Sequence, residues 1–197
     1  MPTIPFKTAL IIIDMQNGMV CDFVPATGER IHKKLGRGNQ PNAEANIKQR
    51  LCTWRANNQP IIHIRHISRQ ADSVFQGDGL LFQKDLQPLP SEPIFSKHVP
   101  DAFCQSGLQQ YLIQHGIQHL AIVGGITNNS VESTTRSAGN LGFYATVIAD
   151  ACFTFGQNDF AQNWRSAQEV HDMTLANLQM DYAKISNTAQ ALTFHQP

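Results

Sequence analysis

The sequence predicts an α/β protein built as three layers, an open and mainly parallel sheet with helices on both faces. Three observations predict it. Apolar runs without polar alternation, first TALIII at Thr8–Ile13, fit strands buried on both sides, as parallel strands are. Segments of helical period alternate with these runs along the chain, the pattern of right-handed β–α–β crossovers. Acids and a Gly-Gly turn stand where strands are expected to end, and ligands of open α/β sheets bind beyond those carboxyl ends.

The elements follow in order. After the strand at Thr8–Ile13, residues 41–58 read as a helix, with Ile47, Leu51 and Trp54 at helical spacing and Asn42 as its cap. Residues 60–66 (PIIHIRH) return to strand character. Residues 68–93, interrupted by Gly77, Gly79, Pro88, Pro90 and Pro93, read as an irregular excursion over the sheet edge, a setting for substrate loops. A helix at 101–115 is closed by Gly116, and a strand at 119–123 runs into Gly124-Gly125-Ile126-Thr127. A helix at 128–141 stops at Gly142. A strand at 143–149 ends in Asp150, placing Asp150 with Asp14 at the carboxyl edge. A helix at 168–178, a short strand at 182–185 and a helical turn at 188–192 complete the chain.

Composition bounds the function. The 197 residues suit one domain, 1–197, with a full core. Lys+Arg and Asp+Glu are both 15. That balance gives no basic surface for nucleic acid or an anionic membrane. The N-terminal apolar run is too short for a signal peptide or membrane span. Cys21, Cys52, Cys104 and Cys152 are scattered without a CxxC pair, the usage of free thiols in a cytoplasmic protein rather than of disulfides or zinc. No HExxH-like histidine pattern occurs. A small-molecule substrate, no cofactor and no metal are expected.

Three positions carry candidate chemistry. Asp14 ends a buried strand, where desolvation or a nearby cation tunes a carboxyl for proton transfer; otherwise it caps the next turn. Lys97 follows the apolar Ile94-Phe95, where it can pair with Asp14 and steady a developing oxyanion, or stand solvated on the surface. Ser130 falls in the first turn of the helix after the two glycines. Backbone N–H groups there lack intrahelical partners and suit an oxyanion hole beside a nucleophile, unless Ser130 is an ordinary helix residue.

Three separated segments resemble one family. ALIIIDMQNGM is similar to the opening of isochorismatase-like (cysteine hydrolase) proteins, a strand ending in Asp-x-Gln. IFSKHVPDAF resembles their lysine segment. GIQHLAIVGGITNNSVESTTRSAGNLGFYATVIADAC resembles their longest signature. In order and spacing the match runs from about residue 8 to 188. The resemblance implies an isochorismatase-like, Rossmann-like architecture and hydrolysis of amide-type C–N bonds by an Asp–Lys–Cys triad. Asp14 and Lys97 take the first two places. It also implies a cis peptide at Gly125–Ile126 before Thr127, with the amides of Ile126 and Ser130 facing the oxyanion, and a homo-oligomer, dimer or tetramer.

The third place departs from the pattern, because Ser130 stands where the family has its cysteine. Three readings remain open: Ser130 attacks with Asp14 as base; Asp14 protonates a vinyl ether, as in the isochorismatase branch; or the chain is a Cys-to-Ser variant. A catalytically silent, ligand-binding or partner-binding member is the rival to a hydrolase. The family's metal-binding branch carries Asp-x-His where this chain reads His63-Ile64-Arg65-His66, so no such metal is expected. His63 and His66 read as a strand-end pair facing the pocket or core. Gln16, His66, Phe103 and Phe155, with Arg65 and Phe75, are assigned to the substrate pocket.

Overall fold

A computed structural model of the protein describes residues 7–19, 38–71 and 73–190. Cys21 and the last two residues of the expected 188–192 helical turn lie outside them. Among the described residues the elements are β1 (Thr8–Ile13), α1 (Ala43–Ala56), β2 (Ile61–His66), β3 (Ile94–Lys97), α2 (Leu108–Gln114) and β4 (His119–Gly125). These are followed by α3 (Glu132–Asn140), β5 (Tyr144–Phe153), β6 (Gln157–Asn158), β7 (Trp164–Arg165), α4 (Ala167–Asp181) and β8 (Ala183–Ser186). Short 3₁₀ turns interrupt the 68–93 excursion.

Six strands form one sheet in the order β3-β2-β1-β4-β5-β8, each neighbouring pair parallel. All six carboxyl ends therefore lie along one edge. β1 is buried throughout: Ala9, Ile11 and Ile13 join one apolar cluster, Leu10 and Ile12 the other. The first cluster receives Leu108 and Leu112 of α2, Ala138 of α3 and Leu175 and Leu178 of α4. The second receives Ile47, Leu51 and Trp54 of α1, and the Trp54 indole N–H donates to Thr8 O at 2.9 Å. Helices thus cover both faces, which is why β1 has no polar alternation.

Element ends differ from expectation for local reasons. Asn42 makes no side-chain cap bond. The helix expected at 101–115 begins only at Leu108, because Gly107 is left-handed (φ 81°) and Asp101 Oδ1 accepts from Phe103 N at 2.8 Å to make a turn instead. α4 runs from Ala167 to Asp181, beyond the expected 168–178, and Ser166 and Glu169 form a reciprocal capping box at its start, worth about 1 kcal/mol. Residues 188–190 form a turn rather than a helix.

Asp150 does not end a strand. β5 runs on to Phe153 past a register break, Ile122 pairing with Val147 but Gly124 with Cys152. Asp150 therefore lies within the strand. Its Oδ1 accepts from Thr188 N (2.7 Å) and Thr188 Oγ1 (2.8 Å), which ties down the C-terminal segment.

Candidate active site

The site starts from the ends of β1, β3 and β4. Asp14 follows β1 in a left-handed conformation (φ 56°), which Asp tolerates better than most residues. Its N–H donates to Ile64 O at 3.1 Å. Lys97 closes β3. Ser130 lies in a π-type turn, Thr127–Val131, that follows β4 and a cis Gly125–Ile126 peptide. Val131 N donates to Ile126 O at 3.3 Å, closing the wide turn. Such turns are rare and recur at functional sites.

The two glycines are steric requirements. A Cβ on Gly124 (φ 122°) would lie 2.1 Å from Ile13 O, and one on Gly125 would lie 2.6 Å from the Phe153 ring. The end of β4 thus packs directly against the Ile13–Asp14 connection, which carries the acid.

Lys97 Nζ donates to Asp14 Oδ2 at 2.7 Å and to Ser130 Oγ at 3.0 Å. All three residues are buried. An ammonium and a carboxylate removed from water stabilise each other only when paired closely. Asp14 Oδ1 is buried and, among the described residues, has no hydrogen-bond partner, which leaves one carboxylate oxygen available to a proton. Within the Ser130 turn Asn129 N and Val131 N both donate to Ile126 O, at 3.1 and 3.3 Å.

The turn bearing Ser130 is braced from behind. Thr127 Oγ1 is hydrogen-bonded to His171 Nδ1 of α4 at 2.9 Å. Burial pushes the His171 pKa below the ordinary histidine value, so the ring is neutral at pH 7. Asn128 Nδ2 donates to Gln157 Oε1 at 3.2 Å, and its Oδ1 accepts from Thr154 Oγ1. The sequence offered no signal for His171, whose partner is 44 residues away.

The expected pocket residues separate. His66 does reach the centre, its Nδ1 3.4 Å from Lys97 Nζ and its ring 5.0 Å from that of Phe75. Gln16 has no accessible surface. Its Oε1 accepts from His66 N at 2.7 Å and its Nε2 donates to His66 O at 3.0 Å, so it braces β2 instead of lining the cleft. Phe103 stacks on Phe143 at 5.6 Å and packs on the α2–α3 side of the core. Phe155 is buried edge-on to Phe153 at 6.0 Å, one layer behind Gly125. Arg65 donates to Ser96 Oγ of the neighbouring strand at 3.1 Å.

His63 and His66 are not a pair. Three residues apart on a strand, they point to opposite faces. His63 Nε2 meets Glu92 Oε2 at 2.9 Å, and Arg55 Nε donates to Glu92 Oε1 at 2.7 Å. The Arg55 and His63 contacts and the Leu89 N–H overcome the cost of burial and hold the Glu92 pKa at about 2. Among the described residues no group of three or more His, Cys, Asp or Glu is placed to hold a metal ion. No helix among them is long and apolar enough to cross a membrane.

A parallel sheet with helices on both faces thus brings an acid, an ammonium and a hydroxyl together at its carboxyl edge. The isochorismatase domain model matches residues 8–190. The isochorismatase family protein YrdC of Bacillus subtilis is 32% identical over 188 residues, covering 94% of this chain and 95% of that protein. The ureidoacrylate amidohydrolase RutB of Rhizobium rhizogenes is 27% identical, covering 80% of this chain and 74% of that protein. The crystal structure of an isochorismatase-family protein from Chromobacterium violaceum superimposes with a TM-score of 0.85 at 36% identity, covering 96% of this chain and 93% of that one. The chain belongs to the isochorismatase family and is a hydrolase.

Proposed function

We propose that this hydrolase cleaves an amide-type C–N bond of a small molecule, with Asp14 as proton acceptor, Ser130 as nucleophile and Lys97 holding the two in place. The observation that carries this reading is the Asp14–Lys97–Ser130 chain of 2.7 and 3.0 Å contacts with Asp14 Oδ1 left open. Asp14 takes the Ser130 hydroxyl proton as Oγ bonds to the carbonyl carbon. The oxyanion is held by the amides of Ile126 and Ser130. The C–N bond breaks and the nitrogen leaves with the proton from Asp14. Water, deprotonated by Asp14, then adds to the acyl carbon, and Oγ departs with that proton. The likeness to a ureidoacrylate amidohydrolase supports this substrate class.

A second reading has one observation in its favour: Lys97 donates to Ser130 Oγ, which draws electron density from the attacking lone pair. In that reading Ser130 is a spectator and Asp14 protonates an isochorismate-like vinyl ether. Ureidoacrylate, simple amides and isochorismate assayed with the wild type, Ser130→Ala and Ser130→Cys separate the two. Covalent catalysis requires C–N hydrolysis to vanish in Ser130→Ala, to persist in Ser130→Cys and to leave an acyl adduct on residue 130. Turnover of isochorismate by Ser130→Ala selects the second reading, and no turnover of any compound by the wild type overturns both.

Residues 1–197 are taken as one domain working in the cytoplasm as a homo-oligomer, without nucleic acid or membrane. Exposed Phe160, Trp164 and Met173 support self-association, which sedimentation velocity tests.

A further inference from the structure

Lys97 carries three N–H donors, and each has a neighbour: Asp14 Oδ2 at 2.7 Å, Ser130 Oγ at 3.0 Å and His66 Nδ1 at 3.4 Å. An ammonium cannot accept a hydrogen bond. The third contact therefore requires His66 Nδ1 to be unprotonated and places the ring proton on Nε2. His66 is well placed to hold that geometry. It pairs with Lys97 across β2 and β3, so both side chains leave the same face of the sheet. Its backbone N–H and C=O are both engaged by the Gln16 amide, and Phe75 meets its ring edge-on. Among the described residues its Nε2 has no hydrogen-bond partner, and the side chain is partly exposed.

We propose that His66 is a positioning residue of this site: its Nδ1 is the third acceptor that fixes the Lys97 ammonium between Asp14 and Ser130, which leaves a neutral Nε2–H free to donate to an oxygen of the substrate. The proposal rests on the reading of Asp14, Lys97 and Ser130 as the reacting centre. The groups facing the ring are Lys97 at the end of β3, Asp14 after β1 and His98 after Lys97, with the neutral Phe75 and Gln16. Burial, and then the Lys97 ammonium, push the His66 pKa below its ordinary 6.5; Asp14 opposes them. A proton on Nδ1 would set cation against cation and release the lysine head. The ordered site is thus complete while His66 is neutral and loosens as pH falls through its lowered pKa.

The test is ¹⁵N-histidine NMR of the full chain without substrate, so its outcome is independent of which bond the enzyme cleaves. At pH 8 His66 should be the Nε2–H tautomer and should titrate below 6.5. In Lys97→Met its titration should move up toward that value, and the single tautomer should be lost. The Lys97 Nζ protons should exchange slowly in the wild type and about tenfold faster in His66→Phe. They should stay protected in His66→Asn, whose side-chain oxygen replaces Nδ1. An Nδ1–H tautomer in the wild type, an unchanged His66 titration in Lys97→Met, or equal Lys97 protection in His66→Phe overturns the proposal. Should Lys97→Met fail to fold, the wild-type tautomer and the two His66 variants decide.

Discussion

Lys97 Nζ lies 2.7 Å from Asp14 Oδ2, and the two side chains are 0% and 4% exposed. Lys97 is reached from the edge strand β3 and Asp14 from the interior strand β1, with β2 between them. The pair is thus an ionic bond laid across the sheet, and removing either charge strands the other.

Lys97→Met should therefore lower stability by about 3–5 kcal/mol, the cost of an unpaired buried charge. Combining it with Asp14→Asn should recover a large part of that loss. A double-mutant cycle by urea denaturation measures the coupling; additive losses would show that the charges do not interact.

Asp14→Asn should reduce turnover by at least about 10²–10⁴-fold, the usual contribution of a positioned proton-transfer group. Steady-state kinetics on any substrate found in the panel gives the answer, and rates like those of the wild type would remove Asp14 from the mechanism.

Gly124→Ala should destabilise by more than about 4 kcal/mol or abolish folding. The new Cβ meets backbone, Ile13 O at 2.1 Å, at a φ of 122°, and neither strand can move without breaking the β1–β4 ladder. Thermal melts compare it with Gly142→Ala, where the added carbon meets nothing within 4 Å and only the positive φ is penalised, by about 1–2 kcal/mol.

Thr127→Val should cost about 1–3 kcal/mol, because it leaves the buried His171 Nδ1 without its partner. Thr127→Ser, which keeps the hydroxyl, should stay near wild type. A shift of the Ser130 turn would also lower kcat in the valine variant alone.

Acid stability should depend on Glu92. Its folded pKa of about 2 lies below the ordinary 4.5, so its contribution is complete above 4.5 and is lost as pH falls through 2. The unfolding free energy of the wild type, from urea titrations, should fall across that window by about 1–2 kcal/mol more than that of Glu92→Gln, solvent screening of this partly exposed group keeping the difference small. Equal slopes would show that the Arg55–Glu92–His63 network adds nothing.

Much of this was readable from residue order. TALIII without polar alternation fits a strand covered on both faces, and Thr8–Ile13 is one. Glycines 116 and 142 stopped helices where their positive φ was needed. The strand ends at Asp14 and Lys97 and the first-turn place of Ser130 are local properties of the chain. Misreadings arose where a local signal competes with distant pairing. Asp150 looked like the end of a strand until the register break against β4 extended β5 beyond it. Gln16, Phe103 and Phe155 are the residue types of a pocket wall, yet the sheet and helices use them as a brace and as core.

By itself the sequence determined the alternation of strands and helices and the residues at their ends, because apolar period, glycines and caps act over a few positions. Only the tertiary structure decided which ends meet. His66 faces Lys97 and His63 faces Glu92 because strand pleating sends them to opposite sides of a sheet, and Lys97 spans to Asp14 because β2 separates their strands. Those contacts join residues 29 to 83 positions apart, a range at which chain order carries no distance.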